Sequence, residues 1–159
     1  MSISDRIAVM NHGVLMQLGK PQEVYDNPAN LFVAKFLGTP PINVFEGTVE
    51  NGMLYIGDDA VLPAGGVPDQ KVWTGIRPEG FILKEDGPFA CQLNRVEVMG
   101  RDVSIVSTHS ACAGQTVRSI INAENRVDTG SSEVRFALKP NKVFLFHRDT
   151  EERILFDIR

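Results

Sequence analysis

The pattern of apolar and polar positions changes character once along the chain. Two short apolar runs, Arg6-Ile-Ala-Val-Met10 and Val14-Leu-Met-Gln-Leu18, flank the turn residues Asn11-His12-Gly13. They predict a tight β-hairpin, with Asn11 and Gly13 as the residue types that tolerate positive φ and His12 as an ordinary turn residue. Pro21 then opens a short helical turn through Tyr25. Asn27 before Pro28 predicts a second helix, ending at Gly38 with Pro40 and Pro41 preventing continuation. In that helix Ala29, Phe32, Val33, Phe36 and Leu37 fall on one face. Burying Phe32, Val33, Phe36 and Leu37 contributes roughly 1.5–3 kcal/mol each before entropy is subtracted. A hairpin and two short helices cannot cover that face, so it predicts an association surface met by a β domain, a second copy or an exchanged element.

Beyond Pro41 the apolar period falls to about two. Strands are predicted at Val44–Val49, Met53–Ile56, Lys71–Ile76, Phe81–Leu83, Phe89–Leu93 and Arg95–Met99. They continue at Val103–Ser107, Gln115–Ile121, Val134–Leu138, Val143–Phe146 and near Arg153–Phe156. Asn51-Gly52, Gly57-Asp58-Asp59, Gly65-Gly66, Glu85-Asp86-Gly87 and Pro140-Asn141 supply the turns. Short strands at this spacing, with glycines inside them, predict a small barrel or sandwich. The expected organisation is an α/β piece over 1–40 and an all-β domain over 41–159.

Composition narrows the function classes. With 159 residues, 43% of them hydrophobic, the chain can bury a packed core. Sixteen basic and twenty acidic residues are interspersed, giving a net charge of −4 and no basic stripe for nucleic acid. An OB-fold nucleic-acid binder would further need aromatic platforms in a basic groove, whereas the aromatics here sit mostly in apolar runs. Cys91 and Cys112 form no CxxC pair, which argues against a zinc site or a disulfide framework and fits a reducing compartment. No apolar run reaches the roughly 18 residues of a membrane span, and no signal-peptide core follows Arg6. A soluble cytoplasmic chain is expected.

Few residues invite chemistry. Gly65-Gly66 lacks the following helix and lysine of a phosphate cradle and reads as a loop. Arg77 and Glu79 flank Pro78 at a sharp exit from the Trp73 strand, and their expected role is to hydrogen-bond that corner and the strand edge, with an inter-subunit or ligand contact as the alternative. His109 stands among Ser107, Thr108, Ser110 and Cys112, but no GxSxG elbow or ordered acid supports a hydrolase. His147 with Asp149 reads as a polar hairpin end with too few ligands for a metal.

Two motifs carry a family resemblance. "DRIAVMNHGVLMQLGKPQEVYDNPANLFVAKFLGTPPINVFEG" resembles the end of the nucleotide-binding domain of ABC-transporter ATPases of the maltose and glycerol-phosphate importer type. "GIRPEG", with Gly75, Arg77, Pro78 and Glu79, resembles the GxRPE signature of the TOBE or regulatory β domain that follows it in those subunits. The ending "VRFALKPNKVFLFHRDTEERIL" also resembles that family, with Glu151 where a turn glycine is common. The resemblance implies a mainly β, OB-fold-like domain after a short remnant of an ATPase domain. It implies a regulatory and dimerisation module on the inner face of the membrane, with self, permease subunits and a regulatory protein or small ligand as partners. An alternative is a sensor of an oxyanion such as molybdate, for which Ser107 to Ser110 and Gly114 offer donors. ATP and Mg serve the full-length family. This chain has no GxxxxGK[ST] loop, signature motif, paired-acid strand or switch histidine, so catalysis and cofactor binding by it are not expected.

Overall fold

The computed structural model describes residues 5–122 and 130–157. Residues 1–4 of the expected α/β piece lie outside them. The hairpin pairs β1 (Ile7–Asn11) with β2 (Val14–Gly19). Positive φ falls at His12 (49°) and Gly13 (81°), not at Asn11, because a two-residue hairpin loop asks it of both central residues.

The first helix, α1 (Pro21–Asp26), begins on its proline as the sequence indicates. The second, α2 (Leu31–Phe36), is shorter than predicted, and its N-cap is Asn30 rather than Asn27. Gln17 explains the difference. Its side chain donates to Asn27 O at 3.0 Å and accepts from Ala29 N at 2.8 Å, holding Asn27 to Ala29 off the helix. Asn30 Oδ1 then accepts from Val33 N at 2.9 Å, a side-chain cap on the shortened helix. Gly38 follows the helix end with φ 103°, as a C′ glycine does.

Eleven strands follow among the described residues. They are β3 (Asn43–Glu50), β4 (Met53–Ile56), β5 (Asp59–Pro63), β6 (Gln70–Ile76), β7 (Phe81–Leu83), β8 (Phe89–Met99), β9 (Asp102–Thr108), β10 (Val117–Asn122), β11 (Glu133–Leu138), β12 (Val143–His147) and β13 (Arg153–Ile154). One strand was hidden from the sequence pattern: β5 begins at Asp59, inside what reads as a turn, and buries Val61 and Leu62. Two predicted strands are one, since β8 runs through with a register shift between Leu93 and Arg95. A bulge of this kind bends a strand without ending it.

One sheet has the order β10-β9-β8-β11-β7 and the other β13-β12-β6-β3-β4-β5. The segment Ala111 to Ala113 bridges them along the edge of β3, through Glu46 N to Ala111 O and Ala113 N to Val44 O, both 2.8 Å. The result is a mainly β, OB-like barrel architecture, the barrel among the two alternatives of the sequence pattern and the fold that the family resemblance implies. Its interior holds Phe45, Phe81, Phe89 and Phe136, with Phe45 edge-on to Phe89 at 5.3 Å and Phe81 to Phe136 at 5.0 Å. Two smaller clusters tie the helices in. Leu31 and Ala34 pack on Ile42, Phe144 and Phe146 of the barrel, while Val33 joins Val9 and Val24 under the hairpin.

Candidate functional site

The strand β6 ends where Pro78 fixes the backbone of a 3-10 turn, Pro78–Gly80, closed by Gly80 N to Arg77 O at 2.8 Å. That turn aims Arg77 out of the barrel at the helices. Its Nη1 donates to Ala34 O at 2.9 Å and to Leu37 O at 3.0 Å, and Nη2 donates to Tyr25 O at 2.8 Å. The guanidinium also lies 3.9 Å over the Tyr25 ring. Arg77 is fully buried. The carbonyls it meets at the end of α2 have no helical N–H to accept from and carry the negative end of the helix dipole, so a cation there meets both needs. A planar fork can serve carbonyls from two helices at once, which an ammonium cannot reproduce.

Glu79 completes the arrangement. Its Oε2 accepts from the Tyr25 hydroxyl at 2.6 Å, and Lys142 Nζ stands 3.8 Å away. Burial, then the hydrogen bond to Glu79, pushes the Tyr25 phenol well above its ordinary range, so it remains a donor. Burial pushes the Arg77 guanidinium down, opposed by Tyr25, Glu79 and Asp26. Arginine nevertheless stays charged at neutral pH. Gly75 admits Ile42: a Cβ there would sit 2.8 Å from Ile42 Cδ1. Arg77 and Glu79 thus join the barrel to the helices, while Pro78 fixes the turn that aims them and Gly75 makes room for Ile42.

The expected association face is divided. Val33 is fully buried, Phe32 and Leu37 are half-buried, and Phe36 is 61% exposed. Leu31 and Ala34 face the barrel while Val33 faces the hairpin, so the short helix splits its apolar residues between two surfaces. On the hairpin, Met10, Val14, Leu15 and Leu18 are also exposed.

The polar cluster at His109 shows no nucleophile geometry. His109 Nδ1 accepts from Ala111 N at 3.0 Å, and its ring packs 5.0 Å from Phe89. Burial lowers its pKa against the pull of Asp59. Ser107 is buried beside Cys91, and burial pushes the Cys91 thiol up to about 12 against the opposing effect of the Ser107 hydroxyl. Neither is an activated nucleophile. Gly65 meets Asp157 in a backbone bridge, as a loop residue. Among the described residues no group of three or more His, Cys, Asp or Glu is placed to hold a metal.

Sequence reasoning missed Tyr25 and Asn43. Tyr25 had a signal, a phenol on a short helix that must be buried somewhere. Asn43 had none: it donates to Ile76 O and Arg118 O and accepts from Arg118 N, tying β10 to the end of β6.

Fold and site together define a class, an OB-like accessory β domain to which a hairpin-and-helix element is fastened by a buried arginine. No protein-family model matches the chain. It is 31% identical over 155 residues to the sn-glycerol-3-phosphate import ATP-binding protein UgpC of Ruegeria sp. strain TM1040, covering 97% of this chain and 43% of that protein. It is 32% identical over 178 residues to the diacetylchitobiose uptake system ATP-binding protein MsiK of Streptomyces coelicolor (97% and 47%). It is 36% identical over 176 residues to the trehalose/maltose import ATP-binding protein MalK of Thermococcus litoralis (97% and 45%). These relatives are ATP-binding subunits of sugar and glycerol-3-phosphate ABC importers, and the likeness over 97% of this chain is consistent with a C-terminal part of such a subunit. The chain spans less than half the length of these relatives.

Proposed function

We propose that this chain is the regulatory and dimerisation module of an importer ATP-binding subunit for sugars or related solutes, with no catalysis of its own. The observation that carries the reading is the Arg77 latch. It ties the barrel to the helix ends at Tyr25, Ala34 and Leu37, and in this reading it is the link that passes movement from one to the other. In this reading residues 1–40 are the last elements of the ATPase domain and residues 41–159 the β domain. The module works in the cytoplasm, peripheral to the membrane, reaching the permease subunits through the rest of the ATPase domain, where ATP and Mg bind.

Self-association is the activity the chain keeps, and the exposed Phe36 beside half-buried Phe32 supports an apolar contact. Sedimentation equilibrium over a wide concentration range tests it. A dimer at micromolar protein that Phe36→Ser weakens supports the reading; a monomer throughout removes dimerisation through this face. ATP hydrolysis co-purifying at unit stoichiometry would overturn the non-catalytic part.

A further inference from the structure

A cleft of 310 Å³ opens at the seam between helices and barrel, lined by Asp26, Asn27, Asn141, Lys142, Phe144 and Arg153. Its walls carry donors without acceptors. Arg153 Nη1 donates to Pro28 O at 3.2 Å, whereas its Nε is buried without a partner and Nη2 makes no hydrogen bond among the described residues. Lys142 Nζ lies 3.9 Å from Asp26 Oδ1 and 3.8 Å from Glu79 Oε2, too far for hydrogen bonds. The side-chain amides of Asn27 and Asn141 are exposed and make no hydrogen bond among the described residues. Two cations and two amides line the cleft with one carboxylate, Asp26, while Glu79 stands on the far side of Lys142, and the Phe144 ring lies 4.6 Å from the Arg153 guanidinium as a floor.

Two larger clefts, of 380 and 480 Å³, contain no buried charged donor left without a partner among the described residues. At the seam the free donors are the charged ones. Charged donors with unfilled geometry favour an anionic acceptor, and clefts from about 300 Å³ upward hold small molecules.

We propose that the seam cleft binds a small metabolite bearing a phosphate or carboxylate group. Arg153 and Lys142 hold the anionic group, and Asn27 and Asn141 hold its hydroxyl or carbonyl oxygens. Binding draws Lys142 from Glu79, the acceptor of the Tyr25 hydroxyl, so occupancy is felt at the Arg77 latch.

The test is an amide NMR titration of the full chain at fixed ionic strength, with 3-phosphoglycerate and with inorganic phosphate. Saturable shifts centred on Asn27, Asn141 to Phe144 and Arg153 are expected, with 3-phosphoglycerate the tighter ligand. Asn141→Asp and Lys142→Gln, both at the rim, weaken it at least tenfold, and the remote Lys71→Gln leaves it unchanged. Shifts that rise without saturating overturn the proposal, as does equal affinity in Asn141→Asp with an otherwise wild-type spectrum. Equal affinity for inorganic phosphate overturns the role given to Asn27 and Asn141.

Discussion

Arg77 Nη1 stands 2.9 Å from the carbonyl oxygen of Ala34, 43 positions earlier in the chain. A strand end of the barrel thus caps the last turn of a helix outside it. Replacing Arg77 with methionine leaves the Ala34, Leu37 and Tyr25 carbonyls without their donor inside the seam. The expected loss is about 3–5 kcal/mol, the usual cost of removing one partner from a buried charged arrangement. Arg77→Lys recovers only part, because one ammonium cannot span both helix ends. Urea unfolding at neutral pH measures both, and a lysine variant as stable as wild type would rule out the fork geometry as the cause.

Tyr25→Phe separates the hydroxyl from the ring. The Glu79 hydrogen bond goes, while the surface under the guanidinium stays. A loss of about 1.5–3 kcal/mol is expected for a bond to a charged group, toward the lower end because the pair is only part-buried. In the Glu79→Gln background the same substitution should cost less. Identical costs in the two backgrounds, read as a double-mutant cycle, would show that the residues act independently.

Gly75→Ala tests the close approach of Ile42. The added methyl meets Ile42 Cδ1 at 2.8 Å in a packed cluster, so a loss of about 1–3 kcal/mol is expected from overpacking. Ile42→Val removes that terminal methyl and should rescue the alanine variant in part. If the two losses simply add, the contact is not the reason for the glycine.

Glu151 occupies a left-handed backbone position, φ 64°, in the turn between β12 and β13. The turn stays closed, with Glu151 N to His147 O at 2.9 Å and His147 N to Glu152 O at 2.8 Å. The absence of a glycine there therefore leaves the turn tight. Glu151→Gly should raise stability by about 0.5–1 kcal/mol, the left-handed strain outweighing the entropy of glycine. Thermal unfolding decides it, since an unchanged or lower midpoint contradicts the strain.

His109 gives the chain a pH response of known sign. Burial lowers its folded pKa, so as pH falls the unfolded chain takes up the proton first. Stability carried by the neutral ring is complete above about pH 6.5, the ordinary imidazole value, and is lost as pH drops below it. His109→Gln should flatten the change in urea midpoint between pH 7.5 and pH 5.5. Equal drops in both proteins would assign the response to another group.

Local signals were legible where backbone and solvent alone decide structure. The hairpin, the Pro21 helix start, the Gly38 helix end and most strand runs follow from residue types that favour one conformation. The boundary of α2 was not, because Gln17 competes for the backbone at Asn27 and Ala29 from the neighbouring strand. β5 escaped for a similar reason: its two buried residues are too few to make a period until β4 lies beside them.

The site divides the same way. The sequence by itself determined that Arg77, Pro78 and Glu79 form a corner, because proline ends a strand wherever it stands in one. Its apolar period also pointed to a small barrel or sandwich, and two motifs carried the family resemblance. Only the tertiary structure decided that Arg77 points at Ala34, Leu37 and Tyr25, that Val33 is covered while Phe36 is not, and that unfilled donors meet at Arg153 and Lys142. Those outcomes depend on which distant surfaces meet, and burial and orphaned polar groups arise only when they do.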